Sequence, residues 1–86
     1  MKHRGTEGFW RLYEALPEQV RAQADKAYEL LKLDPKHPSL HFKNVGRYWS
    51  ARVGRQHRVL AVEEDNVFIW FWIGDHDEYD HLLRRG

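Results

Sequence analysis

Arg52, His57, Arg58 and His76 are the residues of this 86-residue chain whose chemistry and spacing suit work on a phosphodiester. Arginine offers a planar fork of N–H donors that grips two oxygens of one phosphate. An unperturbed imidazole titrates at about pH 6.5, so it can take up and release a proton around neutrality. These are the tools of RNA transesterification, in which the ribose 2′-hydroxyl attacks the adjacent phosphorus. The step needs a base for the 2′-proton, an acid for the leaving 5′-oxygen and positive charge over the phosphorane. Trp72, Tyr79 and Tyr48 add aromatic faces on which a base could stack.

The charge around these residues is segregated. Lys36 to Val62 contains no Asp or Glu yet carries six Lys or Arg residues and three histidines, while the formal net charge of the whole chain is only +1. Each residue also has a plainer role open to it. Arg58 could pair with the acidic final segment, His76 could be an ordinary first-turn helix residue, and His57 could simply belong to a hairpin. Asp75 reads as a helix N-cap, and Tyr79 and Trp70 as residues packed on a sheet. His37, His41, His57, His76 and His81 show no compact ligand spacing and no cysteine joins them, so neither a metal nor another cofactor is predicted. No P-loop, dinucleotide fingerprint or nucleophile elbow is present.

The elements that must position these residues follow from pattern. Thr6 can cap a helix whose Phe9, Leu12, Tyr13 and Leu16 recur at helical spacing, and Pro17 suits the first position of a second helix. That second helix has Val20, Ala24, Ala27, Tyr28 and Leu31 on one face and charged residues on the other. Asp34-Pro35 and His37-Pro38 end it, because a residue before proline is pushed out of the α region. Tyr48 to Val53, Gln56 to Glu63 and Asn66 to Ile73 then read as strands rich in β-branched and aromatic residues. Ser39 to Phe42 is a candidate edge strand. In the third strand, Val67, Ile69, Phe71 and Ile73 should face one way and Phe68, Trp70 and Trp72 the other, with Gly74 ending it. Asp75-His76-Asp77-Glu78 resembles a capping box opening a last helix, with Tyr79, Leu82 and Leu83 inward. The class is α+β: an N-terminal helical hairpin on a small, mainly antiparallel sheet of three to four strands, with a short C-terminal helix.

Register ties these elements to the candidate site. If Asp65-Asn66 is a two-residue turn, Glu64 pairs with Val67, and counting back places Arg58 opposite Ile73 and His57 opposite Gly74. Arg52 shares a face with Arg58 only if the connection from Gly54 to His57 has an odd number of loop residues.

Length and composition set the outer bounds. Residues 1–86 are read as one domain, and 31% charged with 14% aromatic residues is the balance of a folded globule. Met1 to Gly8 offers no apolar stretch and no run is long enough to cross a bilayer, so a cytoplasmic location with no membrane partner is expected. The absence of cysteine is compatible with a reducing compartment.

The element order, with Tyr48-Trp-Ser-Ala-Arg-Val-Gly54, His57-Arg-Val-Leu-Ala-Val62 and Ile73-Gly-Asp-His76, resembles the RelE/ParE superfamily of bacterial toxin components. The resemblance runs from Phe9 to Leu83. It implies a small toxin, monomeric when free, that a cognate antitoxin protein neutralises. RelE-like members cut mRNA in the ribosomal A site as metal-free endoribonucleases, whereas ParE-like members act on DNA gyrase. For this chain it implies Arg52, Arg58 and His76 as the core of a catalytic site, with His57 and Tyr79 assisting and the ribosome and mRNA as partners. A non-nucleolytic gyrase inhibitor or antitoxin-binding module is the alternative. Ser50 stands where the best-studied members have lysine, and Tyr79 lies nearer His76 than the terminal tyrosine of RelE sequences.

Overall fold

Asp65 and Asn66 both take positive φ, 50° and 66°, as a two-residue hairpin turn requires, and Glu64 pairs with Val67. Around this turn the computed structural model, which describes residues 2–85, builds a five-stranded sheet. Its strands are β1 (Lys2–Gly5), β2 (Lys43–Val45), β3 (Tyr48–Val53), β4 (His57–Glu64) and β5 (Val67–Asp75), in the order β1-β5-β4-β3-β2. Three helices complete the chain: α1 (Glu7–Glu14), α2 (Glu18–Leu33) and α3 (His76–Arg85). The fold is α+β, with a sheet one strand larger than the upper expectation. No helix among the described residues is long and apolar enough to cross a membrane.

The additional strand is β1, which pairs in parallel with β5, Lys2 opposite Val67 through Gly5 opposite Trp70. Lys-His-Arg-Gly carries no strand signature, since its support comes from its partner rather than its own residues. Thr6 then turns the chain. Its N–H donates to Trp70 O at 2.9 Å and its hydroxyl accepts from Phe9 N–H at 3.0 Å, capping α1 as expected. Pro17 sits one residue earlier than expected, at the N-cap of α2. The candidate strand at Ser39 to Phe42 is instead a single 3-10 turn over Pro38–Leu40, closed by His41 in the left-handed region, and the edge strand begins at Lys43. His37 caps that turn through Nδ1, which accepts from Ser39 N–H at 3.2 Å.

One irregularity reorganises the third long strand. The β4–β5 ladder follows the count from the turn as far as Ala61 opposite Trp70, and then Leu60 pairs with Trp72 and Phe71 is passed over. This β-bulge places Arg58 opposite Gly74 instead of Ile73, and His57 opposite Asp75 instead of Gly74. It also reverses the alternation beyond it. Phe68, Trp70 and Ile73 carry the buried apolar side chains of the strand, where strict period-two reading put Ile73 with Val67 and Ile69. Gly74 lies within β5 rather than ending it.

The main core sits between the sheet and the first two helices. Leu31 and Leu40 pack with Ala51, Ala61, Phe68 and Trp70, and Phe9, Ala27 and Leu30 close over them. Truncating an indole such as Trp70 to alanine would cost about 3–5 kcal/mol, much of a small domain's stability. α3 packs on the other face, against β4 and β5. Its Tyr79 is buried, whereas Leu82, expected inward, is exposed, as is Tyr28 on α2.

Candidate functional site

Three residues connect β3 to β4, Gly54, Arg55 and Gln56, so the odd-loop condition is met and Arg52 lies directly opposite Arg58. Alternation puts the pair on the face away from α1 and α2, in line with Gly74 of β5. Like charges placed directly opposite on a sheet destabilise it, by roughly 0.2–1 kcal/mol on the scale of such pairs. Arg58 has its pKa lowered from the ordinary guanidinium range, by burial first and by the nearby Arg52 charge second, partly offset by Tyr79 and Asp80. Its guanidinium lies over the Tyr79 ring, 5.9 Å from the centroid, and its Nη1 donates to His57 O at 2.9 Å. Arg52 has less to hold it: Nη1 approaches His41 Nε2 at 3.4 Å, while Nε is buried with no hydrogen-bond partner.

His76 opens α3 beside this pair. Its backbone N–H donates to Gln56 O at 2.7 Å, tying the start of the helix to the β3–β4 turn. Asp75 caps the helix, its Oδ1 accepting from Glu78 N–H at 2.8 Å. The His76 Nδ1 faces Asp80 Oδ2 at 3.4 Å, with Asp77 Oδ1 at 4.0 Å. A ring nitrogen held by a carboxylate leaves Nε2 for another partner. Asp80 thus bears on both His76 and Arg58, and sequence reading missed it. Its signal was the i,i+4 spacing from His76, one turn along the helix. His41 was weighed only as a metal ligand. It reaches Arg52 because the 3-10 turn brings it there, which spacing alone does not report.

Of the five residues expected at a site, Arg52, Arg58 and Tyr79 come together and His76 adjoins them through Asp80. His57 pairs opposite Val53, a residue of the core face, so alternation turns it away from Arg58. Tyr79 is only 7% exposed and supports Arg58 rather than presenting a face for stacking. Tyr48 packs against Phe71 at 5.3 Å between centroids. Trp72 lies over Gly74, where an added Cβ would run into its ring, and remains half-buried. Ser50, at the position where a lysine was noted as missing, is buried. Among the described residues no cluster of three His, Asp or Glu is arranged to hold a metal ion.

No protein-family model matches the sequence, and no curated protein matches it either. Solved structures do match in shape. The toxin–antitoxin complex RelB-RelE of Methanococcus jannaschii contains a chain similar at a TM-score of 0.68 and 16% identity, over 90% of this chain and 95% of that one. YafQ of Escherichia coli gives 0.68 and 12%, over 91% and 96%. The isolated RelE toxin of Escherichia coli gives 0.63 and 14%, over 98% and 96%. At these identities the likeness is one of architecture, and it extends over nearly the whole of each chain. The chain therefore has the fold of the RelE/ParE-superfamily toxins.

Proposed function

We propose that this chain is the toxin of a toxin–antitoxin pair and that it cuts mRNA on the ribosome. The observation that carries the reading is the Arg52–Arg58 pair, two facing cations on the sheet face away from the helical hairpin, with the Nε of Arg52 unsatisfied. An anion between them would relieve both the repulsion and the orphaned donor, which costs about 1–3 kcal/mol when buried. In this reading the two guanidinium groups hold the non-bridging oxygens of the scissile phosphate. The 2′-oxygen forms a bond to phosphorus while the bond from phosphorus to the 5′-oxygen breaks. His76, with Nδ1 held at Asp80, gives its proton to the departing 5′-oxygen through Nε2, and water takes the 2′-proton. The RelE chains among the similar structures include one bound to an antitoxin, which supports an antitoxin partner here.

The chain is modest in size and only weakly basic overall, so the ribosome must supply the alignment that an extended RNA groove would otherwise give. Purified protein should cut programmed ribosomal complexes at defined sites and leave naked mRNA intact. Efficient, codon-independent cutting of naked mRNA would contradict the reading. His76→Ala should lower the single-turnover rate on saturated ribosomes by about 10²- to 10⁴-fold with little loss of binding. A wild-type rate in that variant from pH 6 to 8 would leave His76 as the first residue of a capped helix and nothing more.

A second reading draws on the placement of His57 and Tyr79. One is turned from the arginine face and the other is buried, leaving His76 as the one exposed proton-transfer group of the five beside the arginines. A binding protein, such as a gyrase inhibitor, needs no more. Growth arrest that survives both Arg58→Ala and His76→Ala, with DNA replication failing before protein synthesis, would select it.

A further inference from the structure

A concavity of about 450 Å³ lies at the edge of the sheet between α2, the 3-10 turn and the β3–β4 turn. Lys26, Arg52 and Arg55 line it from three different elements, with Gln23 and Ser39 between them, and no carboxylate is among its lining residues. Neither Lys26 nor Arg55 has an ion-pair partner among the described residues. Gln23 lies so close over Gly54, at φ +59°, that a Cβ there would strike its carboxamide, which places a polar amide group in the groove wall. His37 Nδ1 holds the Ser39 hydroxyl at 2.8 Å. Lys26, Arg52 and Arg55 thus bring three cationic residues and no acid to one concavity, a charge pattern that suits an oxyanion.

We propose that this groove seats a second phosphodiester of the RNA strand, separate from the one between Arg52 and Arg58. The inference rests on the nucleic-acid reading above and extends it to where the strand leaves the candidate site. Arg52 belongs to both places: it faces Arg58 across the ladder and lines the groove. A ligand whose negative charge recurs at every nucleotide fills both at once, and an isolated phosphate fills only one. The unsatisfied Nε of Arg52 marks a pose that the side chain can leave at little cost when an anion arrives.

The test uses the full chain and Lys26→Gln/Arg55→Gln, which keeps Arg52, Arg58 and His76. Amide spectra are titrated with an uncleavable 2′-O-methyl tetranucleotide, with inorganic phosphate and with a hexaglutamate peptide. The tetranucleotide should move the amides of Lys26, Gly54 and Arg55. The double variant, with an otherwise unchanged spectrum, should bind it about tenfold more weakly, the loss expected for a charge-assisted contact. Its dependence of log affinity on log salt should flatten by about 0.7, one phosphate's worth on a single strand. Wild-type affinity and slope in the variant would overturn the proposal and mark Lys26 and Arg55 as solvated surface cations. Saturation by inorganic phosphate as tight as by the tetranucleotide would assign the groove to free phosphate, and shifts with hexaglutamate alone would assign it to an acidic peptide. The cleavage reading is judged separately, on programmed ribosomes. If the wild-type chain cuts there while the double variant binds the tetranucleotide normally, the groove fails alone. If the wild-type chain does not cut and the variant still loses affinity, the cleavage reading fails alone.

Discussion

Arg52 works against the fold that carries it. It faces a like charge across the ladder and leaves a buried donor unspent, so the free protein is less stable for having it. Arg52→Met keeps most of the aliphatic stem and removes both costs. It should stabilise the chain by about 1 kcal/mol, roughly 4–8 °C in Tm for a domain of this size, while abolishing cleavage. Thermal melts at one salt concentration check this, and an unchanged or lower Tm would mean the arginines are not in conflict. Both arginines were legible in the sequence because an acid-free window is visible without any structure. Asp80 was not, because its importance depends on which side of α3 meets the sheet.

At the scale of elements, the hairpin turn, the capped helices and the shared face of Arg52 and Arg58 followed from local rules. The register beyond Trp70 did not. A bulge depends on how Phe71 and Trp72 pack against their neighbours, and nothing in an unbroken apolar run from Val67 to Ile73 marks where one residue is passed over. β1 was hidden for the opposite reason: its own residues are polar and its stability lies in β5. His3 fastens it there. Its Nδ1 accepts from Trp70 Nε1 at 3.0 Å, and its ring stacks on Phe68 at 5.7 Å and on Trp70 at 6.0 Å. Burial, reinforced by nearby positive charge including that of Lys32, pushes its pKa below the ordinary 6.5. The unfolded chain therefore takes up a proton before the folded one does. The stability due to a neutral His3 is complete above about pH 6.5 and is lost as pH falls toward the lower folded value. Tm should drop between pH 7.5 and pH 5.5, and by less in His3→Gln, whose amide oxygen can still accept from Trp70. An equal drop in both proteins would assign the effect to other groups.

For the molecule as a whole, the separation of charge dictates how a partner approaches. The acid-free stretch from Lys36 to Val62 supplies Arg52, Arg55, Arg58 and the edge strand, whereas Glu63 to Asp80 supplies every acid of the second half. An antitoxin segment rich in Asp or Glu should be steered to the basic side and cover it. Arg52→Glu combined with Arg58→Glu should slow association and weaken antitoxin binding while the circular dichroism spectrum stays unchanged. Unaltered affinity would place the antitoxin elsewhere, for instance over the exposed Trp10 and Tyr28 of the helical hairpin.

The parallel pairing of β1 with β5 also governs when this molecule can come into being. Lys2–Gly5 precede their hydrogen-bonding partners Val67–Trp70 by 65 residues, and Thr6 is anchored to Trp70 O. A nascent chain can form α1 and α2 early, but the sheet face beneath them stays incomplete until β5 has left the ribosome, and such distant pairings are slow to close. The bulge and the start of α3, which follows directly on β5, depend on that same late strand. The candidate site is therefore completed only once β5 is in place, since His76 and Tyr79 follow that strand directly in the chain.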